Sequence, residues 1–201
     1  VKCECETKIK LLRVAMQLIW ESSYGAVSVD DICRKAGVNK GSFYHFFRSK
    51  SDLAVAAMEA DWQEKRACLD EIFSPQVPPL ERLARLCELN LAGQKAKMEQ
   101  CGKVCGCPMI TLGAELSTQD EGIRQKTAEI LDRYGKYFES VVRDAAAEGL
   151  LQTDDPRALA RQLFAFSQGM LLQAKVRNDL DLLRDVHAGM LRLLDVQPAT
   201  A

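Results

Sequence analysis

The sequence predicts an all-α protein, with an N-terminal three-helix helix-turn-helix head followed by a larger helical body. Three observations lead there. Apolar residues recur at i, i+3 and i+4 almost throughout. Capping residues and Gly or Pro breakers cut that periodicity into helix-length pieces. No stretch alternates apolar with polar residues as a half-buried strand would. The 201 residues suffice for one large domain or two small ones, and 47% hydrophobic with 27% charged residues excludes a disordered chain. No apolar run reaches the roughly 18 residues of a membrane span. The charged opening VKCECETKIK lacks the apolar centre of a secretory signal, so the expected location is cytoplasmic and no membrane partner is expected.

Element by element, Ile9, Leu12, Met16, Ile19 and Trp20 line one helical face, and Gly25 ends that helix. Ser28-x-x-Asp31 has the spacing of a capping box for the next helix, which Gly37 stops. Asn39 caps a third, very short helix with Phe43, Phe46 and Phe47 on its inner side. Ser49-x-x-Asp52 opens a fourth helix that runs to about Phe73, where SPQVPP breaks the chain. Further helices are expected over 80–98, 109–116 and 120–148, then from Asp155-Pro156 to about Lys175, and finally over 181–194. Pro156 stands at the first helical position, where a missing N–H does no harm. The domain boundary is placed after the head, giving 1–50 for DNA binding and 51–201 for effector binding and dimerisation.

The head has the proportions of a helix-turn-helix joined by Gly37-Val38-Asn39. Ile32, Cys33 and Val38 are expected to pack its two helices together. With the phenylalanines inward, Lys40, Ser42, Tyr44 and His45 face outward, where a helix in the major groove meets bases and phosphates. Gly41 removes a side chain where the helix start approaches the DNA backbone. Lys50 adds a charge and a helix N-terminus for a phosphate. The net charge of −1 hides an asymmetry: residues 1–50 carry nine Lys/Arg against five Asp/Glu, or +4, and the remainder eighteen against twenty-three, or −5. A basic head on an acidic body suits a nucleic-acid partner for the head alone.

The run from Thr7 to Leu53, and above all AGVNKGSFYHFFRSKSDL, resembles the DNA-binding domain of the TetR family of regulators. The resemblance implies that Tyr44 and Lys50 hold phosphates, that Lys40, Ser42 and His45 lie near bases or backbone, and that Ser28 and Lys8 add backbone contacts. It further implies a C-terminal domain that binds an effector and forms a homodimer through the last two helices. The residues support this independently. The helix from Pro156 is apolar over most of its circumference (Leu159, Leu163, Phe164, Phe166, Met170, Leu171), with small Ala165 and Gly169 at i, i+4. The final helix adds Leu182, Leu183, Val186, Met190, Leu191 and Leu194. Helices apolar on more than one face need cover on more than one side. Two heads about 34 Å apart would read a pseudo-palindromic double-stranded operator.

Eight cysteines in a chain of this size and helical pattern point to reduced thiols rather than a disulfide scaffold. Cys3 and Cys5 lie at the N-terminus, and Cys33, Cys68 and Cys87 read as small packing residues. Cys101, Cys105 and Cys107 crowd into a Gly-rich connection. Cys107, just before Pro108 at a helix start, is the expected reactive thiol, since the helix dipole lowers a thiol pKa there. Lys103 and Lys175 are nearby cations in the reading, Lys175 because it interrupts an apolar helix. Three readings compete for the cluster: space-filling, a soft-metal site of three thiolates with no His nearby, or an electrophile and oxidant sensor. The pattern GC-x-x-x-x-L-x-AE-L (Gly106 to Leu116), with DEGIR (Asp120 to Arg124) and LQAK (Leu172 to Lys175), resembles the subgroup of repressors that sense N-ethylmaleimide and related electrophiles. That resemblance implies Cys107 as sensing thiol with Lys175 close to it, while Cys101 and Cys105 depart from the subgroup. A non-covalent small-molecule effector is the alternative. No cofactor, metal site or catalytic residue is expected. His45 and His187 stand far apart on helices with other roles, and a thiol oxidoreductase would want C-x-x-C on a βαβ background.

Overall fold

A computed structural model describes residues 2–196, with side chains described from Glu6 onward, so the thiols of Cys3 and Cys5 lie outside the described residues. The described residues form helices joined by short turns: α1 (Lys2–Glu21), α2 (Val29–Ala36), α3 (Lys40–Phe46), α4 (Lys50–Ile72), α5 (Pro79–Cys101), α6 (Pro108–Leu116), α7 (Glu121–Ala147), α8 (Pro156–Arg177) and α9 (Val186–Leu193). No described residue lies in a strand, and among the described residues no helix is long and apolar enough to cross a membrane. The expected final helix over 181–194 is broken instead. Asp181–Leu183 is a 3-10 turn, after which α9 begins. Three residues per turn bring Leu183 and Val186 onto one buried face.

The chain divides into two compact units, each built from two stretches of sequence. The first gathers Val1–Arg66 with Cys107–Leu131, and the second Ala67–Gly106 with Asp132–Ala201. In the first unit, α1 packs on α2, α3 and α6. Leu11, Ala15 and Ile19 of α1, Ile32 of α2 and Phe43 of α3 are buried there. Phe43 and Phe47, one turn apart, take the inward positions. Phe46 is only half-buried, contrary to the expectation that all three phenylalanines point in, and its ring meets His45 edge-on at 4.8 Å. The second unit builds its core from α5, α7, α8 and α9, with Leu83, Phe138, Val142, Leu163 and Met190 enclosed. Cys33 is buried as expected of a packing residue and Cys87 half-buried, but Cys68 is exposed. Leu69, about 100° further round α4, takes the buried position instead.

The crossing of α6 with α7 depends on one glycine. A Cβ on Gly113 would stand 2.6 Å from Thr127 Cγ2, and Thr127 is a β-branched helix residue with little freedom to turn aside. Gly113→Ala should therefore cost about 1–3 kcal/mol by overpacking, read as a lower melting temperature. Thr127 Oγ1 is buried without a hydrogen-bond partner. Adding Thr127→Ala to Gly113→Ala should thus recover most of the loss. A Gly113→Ala protein that melts like the wild type would refute the close crossing.

Candidate functional site

The helix-turn-helix is built by local capping. Ser28 closes a capping box: its hydroxyl accepts from the Asp31 N–H at 3.1 Å, and the Asp31 carboxylate accepts from the Ser28 N–H at 3.0 Å. The Ser28 hydroxyl also donates to that carboxylate at 2.6 Å, which holds the Asp31 carboxyl below its usual range. Gly37 ends α2 in the left-handed region at φ 66, where a β-carbon would be strained. Asn39 then caps α3, its Oδ1 accepting the Ser42 N–H at 2.7 Å. That carboxamide lies over Gly41, where a Cβ would approach it to 3.1 Å. Gly41 therefore has a capping reason for its size as well as the proposed approach to DNA.

The surface so presented contains Lys40, Gly41, Tyr44 and His45, all exposed, with Ser42 half-buried. Tyr44 is 57% exposed, its ring edge-on to Phe43 at 5.0 Å. Lys40 pairs with Asp30 at 2.8 Å, and that hydrogen bond raises the ammonium's pKa. A phosphate would have to share or displace Asp30. Lys8, on α1, is exposed too. Lys50 differs from the rest. It is half-buried, and its ammonium donates to the carbonyls of Tyr24 and Val27 at 2.9 and 2.8 Å. It also stands 3.9 Å over the Tyr24 ring. Desolvation lowers its pKa, with Glu115 opposing. Lys50 thus ties the turn before α2 to the start of α4.

The partner of that turn is α6. The Glu115 carboxylate accepts from the backbone N–H of Tyr24 at 3.0 Å and of Gly25 at 2.7 Å. Asp120, just beyond α6, accepts from the Ser51 hydroxyl on α4 and from the Ile123 N–H, contacts that hold its carboxyl below the usual range. Lys126 of α7 reaches Glu59 of α4 at 3.1 Å. Sequence reasoning noticed Glu115 and Asp120 inside their motifs and gave them no role. Acidic side chains just beyond an apolar face are the signal that was available.

Cys107 is the N-cap residue of α6, the end opposite Glu115, and its sulfur makes no capping hydrogen bond. Burial pushes its thiol up. The amides of Ile110 and Met109 and the ammonium of Lys65 act in the other direction without prevailing. This corrects the expectation of a lowered pKa: desolvation of the thiolate outweighs a helix N-terminus. Lys175 belongs to the other unit. Its side chain lies against Gly106, where an added Cβ would meet Lys175 Cβ and Cδ at 3.3 Å, and it favours the thiolate of Cys105. Cys105 is buried, and burial lifts its thiol to about 11. Cys101, the last residue of α5, is half-buried, with its Sγ 3.9 Å from Cys105 Sγ. Lys103 is exposed, its carbonyl facing both thiols. Gln94 and Asn178, neither foreseen, clamp this segment. Gln94 Oε1 accepts from the N–H of Cys105 and Gly106, both at 2.8 Å, and Asn178 Oδ1 accepts from Val104 at 2.8 Å. Among the described residues, no three His, Cys, Asp or Glu side chains gather as a metal ion would require.

A capped helix-turn-helix with an exposed basic and aromatic second helix, on an all-helical body, defines a DNA-binding regulator. Comparison with known proteins makes the class specific. Residues 11–57 match the model of the bacterial regulatory proteins of the tetR family, and residues 79–190 match the tetracyclin repressor-like C-terminal domain. The chain belongs to the TetR family of transcriptional regulators. It is 33% identical over 168 residues to the transcriptional regulator AcuR of Cereibacter sphaeroides, covering 83% of this chain and 75% of that protein. It is 26% identical over 191 residues to the transcriptional repressor NemR of Escherichia coli (strain K12), covering 92% of each. Among solved structures, a TetR regulatory protein from Rhodobacter sphaeroides superposes with a TM-score of 0.81 at 31% identity, over 92% of this chain and 96% of that one. The reduced form of E. coli NemR gives 0.82 at 26% identity, over 96% and 99%.

Proposed function

We propose that the chain is a homodimeric repressor that leaves its operator when Cys107 is modified by an electrophile or oxidant. The observation that carries this reading is α6 itself. Cys107 caps one end, and at the other Glu115 holds the two amides that begin the turn which Lys50 also holds. An adduct on Cys107 would press on Pro108 and Met109, both buried, and shift α6 along or about its axis. The Glu115 grip on Tyr24 and Gly25 would move with it, and with that turn the helix-turn-helix. Tyr44, Lys50, Lys40, Ser42, His45 and Ser28 supply the DNA contacts in this reading, with Gly41 allowing close approach. The likeness to NemR, a repressor, supports the sign of regulation. Dimerisation through α8 and α9 is supported by their apolar exposure: Val176 is 78% exposed, and Leu172 and Leu193 are exposed as well. A small-molecule ligand in the same body remains the alternative effector.

The test uses the full chain and DNA from upstream of its own gene, with and without N-ethylmaleimide. The wild type should release DNA. Cys107→Ser should bind before and after treatment, since serine is itself a good N-cap. Because burial raises the Cys107 thiol, alkylation of Cys107 should speed up about tenfold per pH unit from pH 7 upward, following the thiolate fraction. Release by N-ethylmaleimide in Cys107→Ser, or a rate at Cys107 that is flat above pH 7, would overturn the sensor reading.

A further inference from the structure

We propose that Cys101 and Cys105 are a second modification site, a dithiol that a hydroperoxide converts into an intramolecular disulfide independently of Cys107. The two sulfurs already lie 3.9 Å apart and converge on one carbonyl, that of Lys103. Bond formation needs a closure of about 1.9 Å to the usual S–S length. Cys101 can supply that movement. It is half-buried at the C-terminal end of α5, and Gly102 follows it in the left-handed conformation at φ 71 with open space around it. Cys105 cannot move far. It is only 2% exposed, and Gln94 holds its N–H and that of Gly106.

The asymmetry assigns the roles. Cys101, the more accessible thiol, attacks the distal oxygen of the hydroperoxide as its thiolate. The O–O bond breaks, giving an alcohol, or water from hydrogen peroxide, and leaving a Cys101 sulfenic acid. Cys105 then attacks the sulfenic sulfur, the S–O bond breaks, and water leaves with the Cys105 proton. Two thiols lose two electrons and two protons in all, and the hydroperoxide takes up both. The disulfide closes a small ring beside the clamps from Gln94 and Asn178, and a reductant reaches it from the half-buried Cys101 side, so it is reducible rather than a structural staple.

The experiment treats the full chain and its Cys107→Ser variant with hydrogen peroxide, blocks remaining thiols, and maps the peptides by mass spectrometry. A Cys101–Cys105 link is expected in both proteins, lost on adding dithiothreitol and absent from Cys101→Ser. The number of free thiols in Cys107→Ser should fall by two, with no covalent dimer on a non-reducing gel. Oxidation of Cys101 that stops at sulfinic acid, a link from either residue to a different cysteine, or Cys101 and Cys105 both still free after Cys107 has reacted in the wild type would each overturn the proposal. Retention of the link in Cys107→Ser separates this site from the Cys107 reading, which stands or falls on DNA release by N-ethylmaleimide.

Discussion

Tyr44→Phe is expected to weaken operator binding about 30-fold and to leave the melting temperature unchanged. The ring is 57% exposed and packs edge-on against Phe43, and phenylalanine keeps that packing. The substitution removes only the hydroxyl proposed to donate to a phosphate. One such hydrogen bond contributes about 1 kcal/mol. The proposed dimer carries two heads, so the loss is about 2 kcal/mol, or about 30-fold in Kd. The loss should be alike on operator and unrelated DNA, because a phosphate contact carries no sequence information. Lys50→Met gives the contrasting signature. It removes a charge from each head, so the slope of log affinity against log salt should shrink by about 2 for the dimer. It also leaves the Tyr24 and Val27 carbonyls without their ammonium donor, so the head should melt earlier. Electrophoretic or fluorescence titrations at several salt concentrations, beside thermal melts, separate the two. A Tyr44→Phe protein with wild-type affinity would refute the docking of α3 on the backbone.

The head was legible because its information is local. Capping residues, Gly37 and the phenylalanine spacing act within a few residues of one another, and the capping box at Ser28 and Asp31 and the Asn39 cap stand where the sequence puts them. The thiol pKa was not legible, because it depends on how far the fold desolvates the sulfur of this half-buried residue. A helix N-terminus can be read from Cys107-Pro108, but its desolvation cannot. The same limit hid the second role of Lys50. Its position at a helix start suggested a charge for a phosphate, whereas two carbonyls more than twenty residues upstream already hold its ammonium. Glu115 and Gln94 were equally hidden, since each satisfies backbone amides that neither periodicity nor spacing brings near. Long-range polar contacts fix the turn before α2 and the segment after α5.

Arg82 is the most consequential of these unread residues, and Arg82→Ala should destabilise the protein by about 3 kcal/mol. The side chain is 2% exposed although it carries a full charge. Its Nε donates to the Val77 carbonyl at 2.8 Å, and its Nη1 pairs with Asp144 of α7, whose side chain is about one-third exposed. One guanidinium thus fastens the start of α5 both to the turn before it and to α7. Alanine removes the ion pair, leaves the Val77 carbonyl without that donor and opens space in the second unit. Breaking a buried pair from one side costs about 3–5 kcal/mol, and the solvent exposure of Asp144 puts this case at the lower end. For a chain of this length the melting temperature should fall by about 6–12 °C, measured at one fixed protein concentration because assembly shifts apparent stability. Arg82→Met restores the aliphatic volume without the charge, so it should recover the packing share alone. In a double-mutant cycle with Asp144→Asn, the two losses should add to more than the double variant's loss. Strict additivity would mean that the carboxylate contributes nothing and that Arg82 acts only through Val77 and packing. An Arg82→Ala protein within about 1 kcal/mol of wild type would remove the pair from any account of how the second unit holds together.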